Sequence, residues 1–222
     1  MTAGIDLAKR EFPSARNILV AGSSAGGVGA TAFAPFLARM AFGNEQRLMV
    51  FNDAGPVAIN LADTGAIAAR ANDWQFDHFL PASCTDSDPI GQNTALIAWR
   101  LENDRTIREA FYSTDFDLTN RFFMNLLPTV PPGDPAYEAQ FLLTGLAYRD
   151  LIVSEHGKIH DQFPYRYRRF IRAGAFTHTA LQTPDFYESA HGLRLHKWLT
   201  KFVNRQRSWK DIVEELPPLP AP

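Results

Sequence analysis

The part of the chain best suited to chemistry is 22–26, which reads Gly-Ser-Ser-Ala-Gly. An apolar run at 18–21 precedes it, and a stretch of helix formers follows. This order predicts a nucleophile elbow, a tight turn from a strand into a helix that presents a serine, here Ser24. Glycines at both ends allow the strand and helix backbones to approach without a Cβ clash. The competing interpretation is a glycine-rich turn that does no chemistry.

A serine hydroxyl becomes a nucleophile when a histidine takes its proton and an acid orients that histidine. Of the six histidines, His178 is the one that follows an apolar strand in the last quarter of the chain. Asp117 lies at the carboxyl end of another predicted strand, where open α/β sheets bind their ligands. The order Ser24, Asp117, His178 is the order of the triad in α/β-hydrolases. The backbone N–H of Ala25 would bind the developing oxyanion.

Three aspartates compete for the position of the acid. Asp117 has the alternative role of a helix N-cap, and Asp115, two residues earlier, could equally cap the helix. Asp53 ends an earlier strand, but the turn residues at 54–56 indicate that its carboxylate orders a tight turn under the site. The residues alone therefore leave Asp117 and Asp115 open.

The other reactive residue types predict no metal site and no cofactor. His156 and His160 have a spacing that can hold a metal on a helix, but Gly157 weakens that helix and no further ligand set is nearby. Cys84 is the single cysteine, which excludes an intramolecular disulfide. A lone cysteine is more often buried packing than a nucleophile.

Segment 22–30, together with Asp-Ala-Gly-Pro at 53–56, resembles the pectin acetylesterase/Notum family of carboxylesterases. Segments 178–181, 185–187 and 195–199 are similar to the end of bacterial members of that family. The resemblance implies removal of an acetyl or another short acyl group from a carbohydrate or similar alcohol. The Notum branch instead removes a fatty acyl group from a protein.

The resemblance also bears on the acid and on the pocket. Asp117 and the residues after it align best with the triad aspartate of the family, which favours it over Asp115. Trp74, Phe76 and Phe79 could line an acyl or sugar pocket, and could equally belong to the core.

The chain departs from the resemblance at its start. The family places several strands and a Gly-rich segment before the elbow strand, and this chain has little sequence there. In α/β-hydrolases that segment supplies a second oxyanion N–H. We therefore expect a fragment, a mis-started reading frame, one half of a two-chain enzyme or a degenerate copy. A partner chain or a missing N-terminal segment would then complete the sheet.

Composition restricts the remaining possibilities. The 222 residues are 45% hydrophobic and 21% charged, which is typical of a globular protein rather than a disordered or fibrous one. A net charge of −2 gives no electrostatic argument for binding nucleic acid. No apolar stretch is long enough to span a bilayer. Residues 1–6 show no signal peptide, so the compartment stays open: cytoplasmic if the start is authentic, otherwise secreted or periplasmic.

The periodicity of apolar residues predicts one α/β-hydrolase-like domain over 1–216, with a mostly parallel sheet flanked by helices and a disordered Pro-rich tail at 217–222. The predicted strands are 17–21, 47–52, 107–113 and 168–175, and the predicted helices are 5–15, one from the elbow to a cap at Gly43, 93–103, 118–127, 137–155 and 193–204.

Overall fold

The structure is a computed structural model that describes residues 2–55, 65, 68–69, 72–73, 75, 80–84 and 93–216. In chain order its elements are α1 (Thr2–Glu11), β1 (Asn17–Ser23), α2 (Ala25–Ala32), α3 (Ala34–Phe42), β2 (Arg47–Asp53), α4 (Asn93–Asn103), β3 (Arg108–Thr114), α5 (Leu118–Phe123), α6 (Tyr137–Gln162), β4 (Tyr167–Arg172), a 3₁₀ turn (Pro184–Tyr187), β5 (Ser189–Ala190), β6 (Leu193–Arg194), α7 (Leu195–Val203) and β7 (Ile212–Val213).

A parallel sheet with the strand order β1-β2-β3-β4-β7 forms the centre of the described chain. Side chains of its inner strands alternate between two apolar layers. Met49 and Phe51 of β2 pack in the layer that contains α7. Leu48 and Val50 pack in the opposite layer, with residues of α2, α3, α4 and α6. Helices therefore cover both faces, which explains why the inner strands are almost continuously apolar and confirms the expected α/β class with a parallel sheet flanked by helices.

The parallel register brings the carboxyl ends of the strands to one edge of the sheet. Ser23 at the end of β1 pairs with Asp53 at the end of β2. Asp53 pairs in turn with Tyr112 of β3, and Thr114 pairs with Arg172 at the end of β4. The chain segments that follow these strands, which carry the candidate residues, therefore start at the same end of the sheet.

Strand β1 lies at the edge of the described sheet, with β2 as its neighbour. Leu19 on β1 is 47% exposed. An apolar groove of about 360 Å³ lies between β1 and α7, and Ala21 and Leu199 are among the residues that line it. A second apolar groove, of about 500 Å³, opens on the other face of β1 beside Ile18 and Phe12. Parallel strands are normally covered by helices on both faces. Among the described residues, apolar grooves are left beside both faces of β1.

Several helix boundaries differ from the sequence-based expectation. Helix α1 spans Thr2–Glu11 rather than 5–15, and α5 ends at Phe123 rather than at 127. The single helix predicted between the elbow and Gly43 is two helices, separated at Phe33. Pro35 in the first turn of α3 accounts for the break, because proline has no N–H to continue the preceding helix. Helix α6 continues to Gln162 through Gly157, beyond the predicted end near 155.

Two further expectations concern the C-terminal tail and a membrane span. The tail at 217–222 lies outside the described residues. Of the helices that the structure describes, none has the length and apolar character needed to cross a membrane.

Candidate active site

Ser24 lies in the turn between β1 and α2, in the backbone conformation that an elbow requires. Its φ of 55° and ψ of −124° are unusual for a residue other than glycine. Its N–H donates to the carbonyl of Asp53 at 2.9 Å, and its own carbonyl accepts from Gly27 at 2.8 Å in the first turn of α2. The Ser24 hydroxyl makes no capping hydrogen bond to the helix. Such strained conformations cost on the order of 1–3 kcal/mol and cluster at functional sites.

Glycine is required on the strand side of this turn. A Cβ on Gly22 would lie 2.0 Å from the carbonyl oxygen of Gly26, whereas a Cβ on Gly26 would meet nothing within 4 Å. The clearance expected of both glycines is therefore provided by Gly22. Deeper in the turn, Gly27 packs against Gly55, since a Cβ on Gly55 would lie 2.6 Å from the Gly27 carbonyl carbon. These contacts hold α2 directly against the ends of β1 and β2.

Asp117 and His178 are in direct contact. Nδ1 of His178 donates to Oδ2 of the buried Asp117 at 2.7 Å, across 61 residues of sequence. The other ring nitrogen of His178, Nε2, is buried and has no hydrogen-bond partner among the described residues. A carboxylate on Nδ1 places the proton there and leaves Nε2 as an acceptor. The imidazole can therefore take a proton through Nε2.

A buried network supports Asp117 from below. Its Oδ1 accepts the backbone N–H of Asn120 at 2.9 Å, which caps α5, and the Asn120 amide donates to Oδ2 at 3.1 Å. The same amide reaches the carbonyl of Ala54 at 3.0 Å and the hydroxyl of Tyr148 at 3.1 Å. Ser113 donates to the carbonyl of Thr114, so Tyr148 donates to Ser113. Burial raises the pKa of Tyr148, which keeps its phenol neutral in this network.

Asn120 and Tyr148 were not predicted from the sequence to take part in the site. The three-residue spacing from Asp117 to Asn120 is a capping spacing and was a signal for the first of them. Tyr148 lies on α6 with no local signal, because its contact joins residues 28 positions apart.

Asp115, the alternative acid, is engaged elsewhere. Its buried carboxylate forms an ion pair with Arg149 of α6 at 2.5 Å. Burial raises the pKa of Asp115, and the charge of Arg149 opposes that shift. Among the described residues, the carboxylate that binds His178 is that of Asp117.

The role expected of Asp53 belongs to its neighbour. Oδ1 of Asn52 accepts the N–H of Gly55 at 2.6 Å, and its amide donates to Thr31 at 2.8 Å, so Asn52 orders the turn at 52–55. The interpretation that the Asp53 carboxylate orders that turn was wrong. Its carboxylate instead contacts the backbone of the loop that carries His178.

Ser24 and His178 are brought to the same end of the sheet but are not joined by a hydrogen bond in the described structure. In unliganded enzymes the bond between nucleophile and base is often long and shortens when substrate binds. Ala25 begins α2, so its N–H is among the first N–H groups of the helix, which have no partner inside it. That N–H is a donor for an anion beside Ser24.

The histidines considered for a metal are used in packing. His156 is buried, stacks on Phe111 with ring centroids 3.7 Å apart, and shares a hydrogen bond with the Tyr167 hydroxyl. Its pKa is lowered to about 3 by burial. His160 bonds to the backbone carbonyl of Tyr167 at 3.0 Å. In the described ranges no three residues are grouped as a metal site would require.

The aromatic residues considered for a substrate pocket, Trp74, Phe76 and Phe79, lie outside the described residues. Cys84 is described and is buried, as expected of packing.

Solved structures provide a comparison for this arrangement. The fold is similar to that of Notum. One crystal form of the Wnt deacylase Notum from Drosophila is 17% identical in sequence, with a TM-score of 0.64, over 96% of this chain and 60% of that one. A second crystal form is 19% identical, with a TM-score of 0.59, over 90% of this chain and 56% of that one. No family model and no curated protein matches the sequence.

This similarity concerns the fold, because the sequence identities are low. The chain spans about 60% of the length of the Notum chain that it matches.

Proposed function

We propose that this chain is a serine carboxylesterase that removes an acetyl or another acyl group from a carbohydrate or similar alcohol. The observation that carries the proposal is the hydrogen bond between Asp117 and His178, with Nε2 of the histidine left available. The strained turn at Ser24, at the same end of the sheet, supports it. So does the fold, since the similar protein Notum is described as a deacylase.

The mechanism follows from the roles of these groups. Neutral His178 takes the Ser24 proton through Nε2 while Oγ attacks the ester carbonyl carbon. Asp117 holds the tautomer and stabilises the imidazolium that forms. The imidazolium then gives its proton to the departing alcohol, which leaves an acyl-Ser24. His178 then takes a proton from water as the water oxygen attacks the acyl carbon, and it returns that proton to Oγ of Ser24 as the ester bond breaks and the acid leaves.

The negative charge of each tetrahedral intermediate needs donors. Ala25 supplies one N–H at the helix N-terminus. In α/β-hydrolases a second N–H comes from a loop that follows an earlier strand. Among the described residues no strand lies beyond β1 at this edge of the sheet. Loss of one oxyanion donor costs on the order of 10²–10³ in rate.

This edge favours a second candidate function, a scaffold that is inactive until a partner segment covers it. The exposed Leu19 and the apolar grooves on both faces of β1 suit an added parallel strand with flanking helices. A partner chain or a further segment of the protein would complete both the sheet and the oxyanion hole. The two candidates differ in whether the chain of 222 residues reacts by itself.

A fluorophosphonate probe tests the proposal directly, because it forms a covalent adduct with an activated serine. Incubation of the chain with the probe should add the mass of one phosphonyl group, because fluoride leaves as Oγ attacks phosphorus, and peptide mapping should locate the adduct at Ser24. Ser24→Ala should abolish labelling, while Ser208→Ala, at an exposed serine remote in sequence, should label at the wild-type rate. An unchanged mass after prolonged exposure would favour the partner-dependent scaffold, and labelling of Ser24→Ala would exclude Ser24.

The acyl group is tested with a series of chromogenic esters of one alcohol. A short-chain preference predicts that kcat/KM falls from acetyl to octanoyl esters. A rise along the series would instead indicate a fatty acyl substrate.

A further inference from the structure

The carboxylate of Asp53 is fully buried at the end of β2 and has three hydrogen-bond partners. Oδ1 accepts the backbone N–H of Ala180 at 2.7 Å, and Oδ2 accepts that of Leu181 at 3.0 Å. Oδ2 also accepts the Ser23 hydroxyl at 2.5 Å. Two of these partners, Ala180 and Leu181, lie in the loop that carries His178, two and three residues after the histidine.

The backbone of the same residue holds the elbow. The carbonyl of Asp53 accepts the N–H of Ser24 at 2.9 Å, and Asp53 pairs with Ser23 in the sheet. Asp53 therefore contacts the turn that carries the serine through its main chain and through the Ser23 hydroxyl, and it contacts the loop that carries the histidine through its side chain.

The histidine loop needs such support because its backbone is strained. Thr179, between His178 and the residues bound by Asp53, has a φ of 61°. A β-branched residue in this region is a true outlier, and it persists only where its surroundings determine it. On the other side of His178, the carbonyl of Thr177 accepts the Thr114 hydroxyl at 2.6 Å. Hydrogen bonds thus hold the loop at the residue before the histidine and at the second and third residues after it.

We propose that Asp53 is a positioning residue that holds the imidazole of His178 in line with Ser24 by binding the main chain of the histidine loop. This inference rests on the proposed esterase function for its kinetic consequence. Both carboxylate oxygens are needed, because the two loop N–H groups bind different oxygens. An amide in this place has one acceptor oxygen, and its NH₂ would oppose one of the two N–H donors.

The test compares Asp53→Asn with Glu109→Gln. Glu109 is also buried, also binds through both oxygens, to Arg100 at 2.7 and 2.8 Å, and lies near the opposite end of the sheet. Both variants make the same chemical change and both should lower the unfolding temperature. At a temperature where each is folded, Asp53→Asn should lower kcat on p-nitrophenyl acetate by roughly 10²-fold with KM within about threefold, as expected of a displaced catalytic group. Glu109→Gln should keep the wild-type kcat per folded molecule.

A second measurement does not depend on activity. In the wild-type protein the Nδ1 proton of His178, hydrogen-bonded to Asp117, should give a far-downfield proton NMR signal that disappears in His178→Ala. Asp53→Asn should shift or broaden that signal, and Glu109→Gln should leave it unchanged. If Asp53→Asn does not fold, the same measurements apply to Leu181→Pro, which removes one loop donor and keeps the carboxylate.

The outcomes separate the two proposals. A wild-type kcat and an unshifted His178 signal in Asp53→Asn would overturn the positioning role, even if the variant is less stable. A wild-type protein that reacts with neither ester nor fluorophosphonate, but whose His178 signal moves in Asp53→Asn, would overturn the esterase function of the isolated chain and leave the positioning role supported.

Discussion

Asp117 binds His178 through one carboxylate oxygen while its other oxygen caps the helix that begins at Leu118. The sequence presents these two roles as alternatives, but a carboxylate has lone pairs enough for both. The consequence is geometric. Because the cap fixes the carboxylate to the first turn of α5, the direction from Asp117 to the imidazole is set by the helix.

This arrangement distinguishes the two candidate acids by mutation. Asp117→Asn should lower kcat by about 10⁴, because an amide can present its NH₂ to Nδ1 and favour the wrong tautomer. It should also lower stability, because the new NH₂ would oppose the Asn120 amide that donates to Oδ2, although asparagine is itself a good N-cap. Asp115→Asn should lower stability, because Arg149 loses its ion-pair partner, and keep kcat within about threefold. Ester hydrolysis and urea unfolding of both variants check this, and the reverse pattern would assign the acid to Asp115.

A substitution that relieves the backbone strain at Ser24 should raise the free energy of unfolding. Glycine adopts a φ of 55° without penalty, whereas alanine does not. Ser24→Gly should therefore be more stable than Ser24→Ala by about 1 kcal/mol, the strain relief less the entropy cost of glycine. Urea denaturation of the two inactive variants measures the difference. Equal stabilities would mean that the turn stores no strain.

The elbow glycines form a matched pair for a steric test. Gly22→Ala would place a methyl group 2.0 Å from the Gly26 carbonyl oxygen, so we expect a loss of about 3 kcal/mol or more in the free energy of unfolding. Gly26→Ala meets open space inside α2 and should raise stability by about 0.5–1 kcal/mol. The midpoints of urea unfolding measure both changes. A Gly22→Ala variant as stable as the wild type would contradict the close contact in the elbow.

His156 predicts a pH dependence of stability. Burial, with a smaller effect of the Arg169 charge, lowers its pKa from 6.5 to about 3. Between these values the unfolded chain binds a proton that the folded chain does not, so the free energy of unfolding falls as pH falls, by up to about 1.4 kcal/mol per pH unit. Above pH 6.5 this histidine contributes no slope.

The measurement for His156 is urea unfolding at pH 7, 6, 5 and 4. His156→Phe should show a shallower fall in stability below pH 6.5 than the wild type. His191→Gln, at an exposed histidine, should show the wild-type slope. Parallel pH curves for wild type and His156→Phe would refute the prediction.

The open edge of β1 predicts association of the isolated chain. Leu19→Arg adds a charge to an exposed apolar edge strand and should reduce concentration-dependent aggregation. Leu7→Arg, at a similarly exposed leucine on α1, is the control and should have little effect. Light scattering over a concentration series compares them, and equal behaviour would show that the edge is not the associating surface.

The strand–turn–helix at Ser24 was predictable because it depends on residues adjacent in sequence: an apolar run, a turn of small residues and a stretch of helix formers. The position of His178 at the same end of the sheet as Ser24 was also predictable, because the carboxyl ends of parallel strands lie at one edge. The choice of Asp117 over Asp115 for contact with His178 follows from where each carboxylate projects, and only the fold determines that.

Contacts across the fold could not be predicted in this way. Asp53 binds Ala180 across 127 residues, and no local pattern distinguishes that use from a turn aspartate. The turn at 52–55 was attributed to the wrong neighbour because Asn and Asp have the same turn preferences. The break at Phe33 was missed because the apolar spacing continues across it, although Pro35 stands in the sequence as its cause.

The proposed nucleophile, Ser24, follows the outermost strand of the described sheet, and this position has a consequence for inactivation by heat. Outer strands open locally at lower free-energy cost than the strands they cover. Warming should therefore separate β1 from β2 and abolish the reaction of Ser24 while the rest of the molecule is still folded. Catalytic competence would then be the first property to disappear, several degrees before the far-ultraviolet circular dichroism changes.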